Sequence, residues 1–363
     1  MVTFPCKVIG VIKFFISFLF QNNGRKEIPR VWVDGVFDVA HFGHYNMMRQ
    51  AAALADELYV GVHNDEEVTK NKAKPVFNLQ ERMELVSACK WATKVIPDAP
   101  FTTQVDWLKR FDCEACIHGD DLVLNSDGVD CYKAVKDANM FATVPRTKAI
   151  STTNLIGRML RLPKDQLPEG FDTSLLENLS GDISSFYTYM PTTHRISQFA
   201  SHREPTKNDK IVYVDGTFDL LHPGHVSFLK KAKALGTYLV VGVHPDPLPG
   251  ENRPAPIMTL QERVLNVLAV KYVDDVIIGA PYVITKALID QIEPAVVAEG
   301  SSATRPKSVD AFKIPKEMGI FQQIESDYPE FTSKLVIKRI LDNYQIYAKR
   351  NATKEKAACE KLA

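Results

Sequence analysis

A twelve-residue pattern occurs twice in this chain, and the distance between its copies limits the fold more than any other feature. Val33-Asp-Gly-Val-Phe-Asp-Val-Ala-His-Phe-Gly-His44 matches Val214-Asp-Gly-Thr-Phe-Asp-Leu-Leu-His-Pro-Gly-His225, which places His222 181 residues after His41. The same offset of 181 relates Gly61-Val-His63 to Gly242-Val-His244, Leu79-Gln-Glu-Arg82 to Leu260-Gln-Glu-Arg263, Ala99-Pro100 to Ala280-Pro281 and Gly119 to Gly300. Chance matches of short motifs do not keep register over such a span; two homologous units with almost no net insertion do. The length of 363 residues suits two such units and exceeds what one core usually holds.

The units run from about residue 29 to 160 and from about 209 to 341, with an apolar extension over residues 1–28. Residues 161–208 hold Pro163, Pro168, Pro191 and Pro205 among many Ser and Thr, and read as a linker in which Phe186 to Met190 is the segment able to pack. Residues 342–363 read as a charged tail, and its Ala-rich end from Lys349 as a frayed, solvated helix. Within the first unit β-rich apolar runs alternate with helical spacing. Strands are expected over Arg30–Val36, Leu58–Val62, Lys94–Ile96 and Ala115–His118, and helices over Gly43–Ala55, Leu79–Cys89, Val105–Phe111, Val129–Ala138 and Ser151–Leu160. Such alternation gives an α/β, Rossmann-like domain with a parallel sheet flanked by helices, here twice in tandem. Ligands of such sheets bind beyond the carboxyl ends of the strands.

Composition excludes some classes. Hydrophobic residues at 45% and charged residues at 24% belong to a folded chain, not a disordered one. Lys plus Arg equals Asp plus Glu at 44 each, so nothing suggests a nucleic-acid surface. The six cysteines fit a reducing compartment. Cys113 and Cys116 form a C-x-x-C, but no second pair accompanies them, and the segment reads as a buried strand instead of a zinc site. Val8 to Phe20 is apolar except for Lys13 and Ser17, too short for a membrane span and not followed by a small-x-small cleavage site. It reads as an extension outside the fold, either an interfacial anchor or a leader.

The first strand ends near Asp34-Gly35 and a helix begins near Gly43, so His41 and His44 fall at a helix N-terminus. Free backbone N–H groups and the helix dipole favour phosphate there, and Gly43 allows close backbone approach. Two imidazoles at that place can donate to a polyphosphate. A pair of surface histidines or a zinc site are the competing readings; recurrence of H-x-G-H in the second unit argues against the first, and the lack of a further His or Cys cluster against the second.

This twelve-residue pattern resembles the signature of the cytidylyltransferase family, within the broader H-x-G-H nucleotidyltransferases. Arg146-Thr-Lys-Ala-Ile-Ser-Thr-Thr153 resembles that family's second signature, R-T-x-G-I-S-T-T, with Ala149 where the family usually has Gly. The tandem arrangement resembles the branch that acts on phosphoethanolamine. The resemblance implies attack of a phosphoethanolamine oxygen on the α-phosphorus of CTP, without a covalent enzyme intermediate, by positioning and charge neutralisation. It implies that His41 and His44 hold the triphosphate, that Lys72 bridges the two reacting phosphates with Lys70 and Lys74 assisting, and that Arg146 with Thr147, Ser151 and Thr152 grips the outer phosphates. Ser151 and Thr152 also read as an N-cap. Gly35, Phe37, Asp38, Gly43 and Arg82 join the CTP set, Asp38 as orienter of the histidine motif or of magnesium; a structural salt bridge is the competing role for Arg82. His118, Asp121, Asp130 and Tyr132 are assigned to the aminoalcohol, although Asp120 and Asp121 equally read as caps of a turn. Mg2+ is expected with CTP and no protein-held metal is. The partners implied are CTP and phosphoethanolamine, extending to a homodimer and to transient contact with a membrane surface; the location implied is the cytoplasm, at the surface of the endoplasmic reticulum.

The second unit keeps His222 and His225, which are carried as CTP contacts. Elsewhere it departs: Lys70 corresponds to Glu251, Lys72 to Arg253, His118 to Glu299, Asp120 and Asp121 to Ser301 and Ser302, and Arg146 to Asp327. Acidic groups at a phosphate site repel the ligand, and Arg does not replace Lys. The second unit is therefore expected to lack turnover, and either to bind a nucleotide weakly or to pack against the first unit and complete its site. Against an enzyme stands a nucleotide-binding regulator without turnover; within enzymes, phosphocholine, glycerol phosphate or ATP are the competing substrates. The complete set of His41, His44, Lys72 and Arg146 in the first unit favours an enzyme.

Overall fold

A computed structural model of the chain describes residues 28–148, 150–163, 166–167, 171–172, 192–201, 203–247, 255–302 and 310–360. Val8–Phe20, Phe186–Met190, Ala149, Glu251 and Arg253 lie outside these residues. The first unit has β1 (Ile28–Gly35) at the centre of its sheet, α1 (Phe42–Ala52), β2 (Ala55–Val62), α2 (Asp65–Asn71), α3 (Leu79–Ser87), β3 (Lys94–Ile96), α4 (Val105–Arg110), β4 (Ala115–Gly119), α5 (Lys133–Asp137), β5 (Phe141–Val144) and α6 (Thr152–Leu160). The strand order is β3-β2-β1-β4-β5 and every pairing is parallel. Val31, Trp32 and Val33 of β1 are all fully buried, as expected of a strand covered on both faces. The order reverses between β1 and β4, and the crevice at their carboxyl ends is where such sheets bind ligands.

After α7 (Thr193–Phe199), the second unit repeats the plan with β6 (Ile211–Gly216), α8 (Pro223–Lys233), β7 (Tyr238–Val243), α9 (Leu260–Leu268), β8 (Asp275–Ile278), α10 (Lys286–Ile292), β9 (Val296–Gly300), α11 (Lys313–Glu317), β10 (Phe321–Ile324), α12 (Ser333–Leu341) and α13 (Tyr344–Glu360). Its sheet, β10-β9-β6-β7-β8, has the same topology. Two tandem α/β units are thus present, as the repeat predicts. The elements differ in detail from the sequence expectation. β5 and α2 were not anticipated. α1 ends at Ala52 and β2 already starts at Ala55, because the Ala-rich run there carries no Gly or Pro to mark the stop. The expected helix over Val129–Ala138 shrinks to α5, since Gly128 turns the chain at φ +76° and Leu124 bridges to Asp130. Cys116 lies fully buried inside β4, as the strand reading expects.

The contacts between the units obey the offset of 181 as well. Arg158 donates to both oxygens of Glu262 (2.6 and 2.9 Å) and to the carbonyl of Ile257 (3.1 Å). Its repeat counterpart Arg339 donates to both oxygens of Glu81 (2.7 and 2.8 Å) and to the carbonyl of Val76 (3.2 Å). Lys90 N–H donates to Ala269 O (2.9 Å) while Lys271 N–H donates to Ala88 O (2.8 Å), around an antiparallel bridge between Cys89 and Val270. The units therefore face one another across a pseudo-two-fold axis, an isologous interface folded into one chain.

Two segments expected to lie outside the core are seated on it. Phe199 of α7, inside the expected linker, is fully buried and meets Trp91 edge-on at 4.9 Å, and Arg195 donates to Asn46 (2.9 Å). The tail reading needs correction. α13 buries Tyr344, Tyr347 and Asn351, a stripe with helical spacing on one face. Tyr347 donates to Lys74 O (3.1 Å) and Asn351 to Thr153 O (3.0 Å), both in the first unit. So short a stripe within a charged sequence gives little signal. Among the described residues no helix is long and apolar enough to cross a membrane.

Candidate active site

A cleft of about 250 Å³ opens at the carboxyl ends of β1 and β4. Gly35, Phe37, Asp38, His41, Gly43, His44, Lys72, His118, Asp121, Arg146, Thr147, Ser151 and Thr152 all line it, so most of the residues chosen from sequence converge. The turn after β1 is unusual: Phe37 and Val39 take left-handed backbone (φ +52° and +44°), and Phe218 and Leu220 repeat it at φ +51° and +48°. Non-glycine residues, above all a β-branched one, adopt this at a cost that the surroundings must offset. The reward is the placement of His41 as N-cap of α1.

The imidazoles are oriented by backbone. His41 Nδ1 accepts from Gly43 N–H (3.2 Å), His44 Nδ1 accepts from His41 N–H (3.4 Å), and the rings stack at 4.0 Å. Each ring accepts at Nδ1, so its proton sits on Nε2 and the pair offers two Nε2–H donors. The expectation of free backbone N–H groups at this helix end is corrected: Gly43 N–H is spent on His41, and the imidazoles are the donors instead. Gly43 is required for the same reason, since a Cβ there would lie 2.9 Å from the His41 ring. Burial lowers His41 well below the ordinary histidine range, with His44 and Arg146 adding to it, and lowers His44 to about 3, with Lys72 and Arg146 adding to it. Both rings are neutral at physiological pH, as the hydrogen bonds require.

In the unfolded chain these imidazoles protonate near 6.5, whereas in the folded chain they stay neutral until far lower pH. The unfolded state thus binds more protons below pH 6.5, and stability falls as pH drops from there toward 3, by up to about 1.4 kcal/mol per pH unit for each ring. The urea midpoint of the wild type is expected to fall between pH 7 and pH 5, and that of His44→Asn to fall less over the same interval; equal slopes would contradict the neutral assignment.

Lys72 follows α2, whose N-cap Asn64 accepts from Glu67 N–H (2.8 Å). Its side chain lines the cleft with its ammonium 5.3 Å from the Phe101 ring. Desolvation lowers its pKa, and Arg350 lowers it further. Neither Lys70 nor Lys74 lines the cleft. Asp38 does not orient the histidines through its carboxylate. That carboxylate accepts from Val76 N–H and Phe77 N–H (2.9 Å each), pinning the far end of the Lys72 loop, and burial raises its pKa. Asp219 does the same for Ile257 and Met258 in the second unit. Arg82 is likewise corrected. It is fully buried, does not line the cleft, and donates to Phe77 O, Val36 O, His63 O and Asp65 (2.6 to 3.0 Å). Arg263 makes the equivalent bonds, so this arginine braces the loops under the site in both units.

On the opposite wall, Asp120 accepts from Arg146 N–H (3.1 Å) and Asp121 lies 3.5 Å from the Arg146 guanidinium. Asp120 thus acts on the backbone, while Asp121 faces the cleft. Thr147 accepts from Asn46 (2.9 Å), Ser151 caps α6 by accepting from Asn154 N–H (3.1 Å), and Thr152 donates to Asp38 O (3.1 Å). These bonds aim the N-terminus of α6 at the cleft, beside Arg146. His118 lines the cleft and packs on Tyr132 at 4.7 Å. Asp130 and Tyr132 do not line it. Asp130 turns the chain into α5, accepting from Tyr132 N–H (2.9 Å) and Lys136 (2.6 Å). Tyr132 is buried and donates to Asp34 (2.7 Å). Sequence reasoning missed Asp34: its buried carboxylate lines the cleft and also accepts from Trp32 Nε1 (2.8 Å) and Thr103 (2.5 Å). Its recurrence as Asp215 in both copies of the motif was the available signal.

In the second unit His222 and His225 stack at 3.7 Å, but both Nδ1 atoms are buried without a hydrogen-bond partner. Phe331, the counterpart of Ile150, stacks on His222 at 5.2 Å. Asp327, in the place of Arg146, accepts from Ser227 and pairs with Lys231. An aromatic ring stacks on His222, and a carboxylate replaces the guanidinium, so this geometry gives no support to His222 and His225 as CTP contacts.

The comparisons with known proteins recognise both units. A family model described as cytidylyltransferase-like matches residues 32–158 and again 213–346. The chain is 46% identical to an ethanolamine-phosphate cytidylyltransferase of Dictyostelium discoideum, over 92% of this chain and 97% of that protein. It is 38% identical to the protein of that name from Mus musculus, over 92% of this chain and 91% of the relative. For the one from Arabidopsis thaliana the values are 39%, 91% and 85%. With matching units at both halves and these relatives aligned along nearly its whole length, the chain belongs to the cytidylyltransferase family.

Proposed function

We propose that the first unit transfers CMP from CTP to phosphoethanolamine, giving CDP-ethanolamine and pyrophosphate. The observation that carries this reading is the convergence of His41, His44, Lys72 and Arg146 on one cleft that also holds the carboxylates of Asp34 and Asp121. The cationic and donor side suits a triphosphate and a phosphomonoester. A carboxylate suits an ammonium. Asp34 already accepts three hydrogen bonds, and a carboxylate has about four acceptor positions, so one remains for an ammonium N–H. Phosphoethanolamine supplies such a donor; the quaternary ammonium of phosphocholine does not.

In this reaction an oxygen of the phosphoethanolamine phosphate attacks the α-phosphorus of CTP as the bond to the pyrophosphate oxygen breaks. No proton has to move. Lys72 holds the two reacting phosphates together against their mutual repulsion, the two Nε2–H groups take charge that grows on the bridging and non-bridging oxygens, and Arg146 with the α6 terminus holds the leaving pyrophosphate. Among the described residues no three His, Cys, Asp or Glu side chains converge as a metal cage. Mg2+ would come bound to the triphosphate of CTP, in keeping with its preference for substrate phosphates and water, and would neutralise charge there. The second unit serves as the packing partner of the first. Phosphorus NMR of a mixture of protein, CTP, Mg2+ and phosphoethanolamine tests the chemistry: signals of a pyrophosphate diester and of free pyrophosphate are expected, and their absence overturns it.

A further inference from the structure

The C-terminal helix brings a cation to the cleft that lies outside both repeats of the motif. Arg350 lines the cleft together with His41, His44, Lys72 and Arg146. It is half-buried, and its Nε atom is fully buried without a hydrogen-bond partner. The other arginines that brace the units are spent: Arg158 on Glu262, Arg339 on Glu81 and Arg82 on Asp65. A guanidinium taken partly out of water with an unmet donor is costly unless an anion completes it. Its position is also fixed from both sides. Tyr347, one turn earlier, is tied to Lys74 O in the Lys72 loop, and Asn351, the next residue, is tied to Thr153 O in the first turn of α6. Arg350 is thereby held over the first turn of α6 and against the Lys72 loop.

We propose that Arg350 is a nucleotide-binding residue of the first unit, whose guanidinium takes oxygens of the CTP polyphosphate over the N-terminus of α6. The site of the first unit is then completed by the helix that follows the second, which gives the tandem arrangement a direct part in substrate binding. This inference rests on the reading of the cleft as a CTP site.

The test uses the full-length chain with Arg350→Met, which keeps the apolar stem and removes the charge, and Arg350→Lys. Binding of Mg·CTP is measured calorimetrically without phosphoethanolamine, and KM is measured for each substrate. Arg350→Met is expected to weaken CTP binding and raise KM for CTP by roughly 10–100-fold, the usual loss of a charged hydrogen-bonding group, with KM for phosphoethanolamine within about twofold. Arg350→Lys is expected to recover part of the loss, and the melting temperature to stay at the wild-type value. An unchanged CTP affinity overturns the proposal, as does a loss that falls on KM for phosphoethanolamine or that only follows a fall in melting temperature. A wild-type protein that binds CTP yet releases no pyrophosphate counts against the proposed activity, while the affinity comparison still decides the role of Arg350.

Discussion

Lys72→Ala is expected to slow turnover by roughly 10²–10³-fold while weakening CTP binding by less than about tenfold. The two reacting phosphates repel, and the barrier contains the work of bringing them together. Lys72 lines the cleft on a loop held at its far end by Asp38 through Val76 and Phe77 and from the side by Tyr347 through Lys74. Its contribution is largest when both phosphates are present, which places the loss in kcat. Lys72→Arg keeps the charge but changes its shape, so an intermediate rate is expected. Because its pKa is lowered, the protonated form is lost at lower pH than for an ordinary lysine, and kcat/KM is expected to decline on the alkaline side accordingly. A Lys72→Ala protein that turns over at the wild-type rate contradicts its assignment; one that fails to bind CTP moves the residue into nucleotide binding.

Arg158→Ala is expected to lower stability by about 3–5 kcal/mol, the usual result of leaving a buried carboxylate unpaired. Arg158 is fully buried and Glu262 nearly so (side-chain exposures 0% and 7%), and the pair joins the two units. The symmetry-related Arg339–Glu81 pair is more exposed, at 31% and 12%. Arg339→Ala should therefore cost less, about 1–2 kcal/mol after solvent screening. Removing both partners of the buried pair, as Arg158→Met with Glu262→Leu, is expected to restore much of the loss. For a chain of this size the single change corresponds to a fall of roughly 4–7 °C in the melting temperature. Equal effects of Arg158→Ala and Arg339→Ala would contradict the difference in burial.

The constant offset made much of this legible. It predicted two α/β units, and the convergence of His41, His44, Lys72 and Arg146 follows from their places at strand ends and helix starts. What stayed hidden depended on packing. Arg82 and Asp38 occur in both repeats, which marks them as needed, but only the structure shows that Asp38 is spent on backbone N–H groups and Arg82 on backbone carbonyls and Asp65. Arg158 and Glu81 also recur, as Arg339 and Glu262, and a comparison of the repeats beyond the motifs would have flagged them. Asp130 and Tyr132 share the strand-end region yet do not line the cleft, Tyr132 lying behind Asp34 and His118, a distinction that spacing in a loop does not encode. Arg350 and α13 were missed because a helix with so few apolar residues reads as solvated until its partner surface is known.

The most direct test of the proposed reaction is pyrophosphate release by the purified full-length chain with CTP and Mg2+, comparing phosphoethanolamine, phosphocholine and glycerol 3-phosphate. Release with phosphoethanolamine is expected at a kcat/KM at least about tenfold above either alternative, the size of effect that one ammonium hydrogen bond to a carboxylate gives. No release with any of the three, under conditions where CTP binds, would contradict the reaction and leave the first unit as a nucleotide-binding regulator.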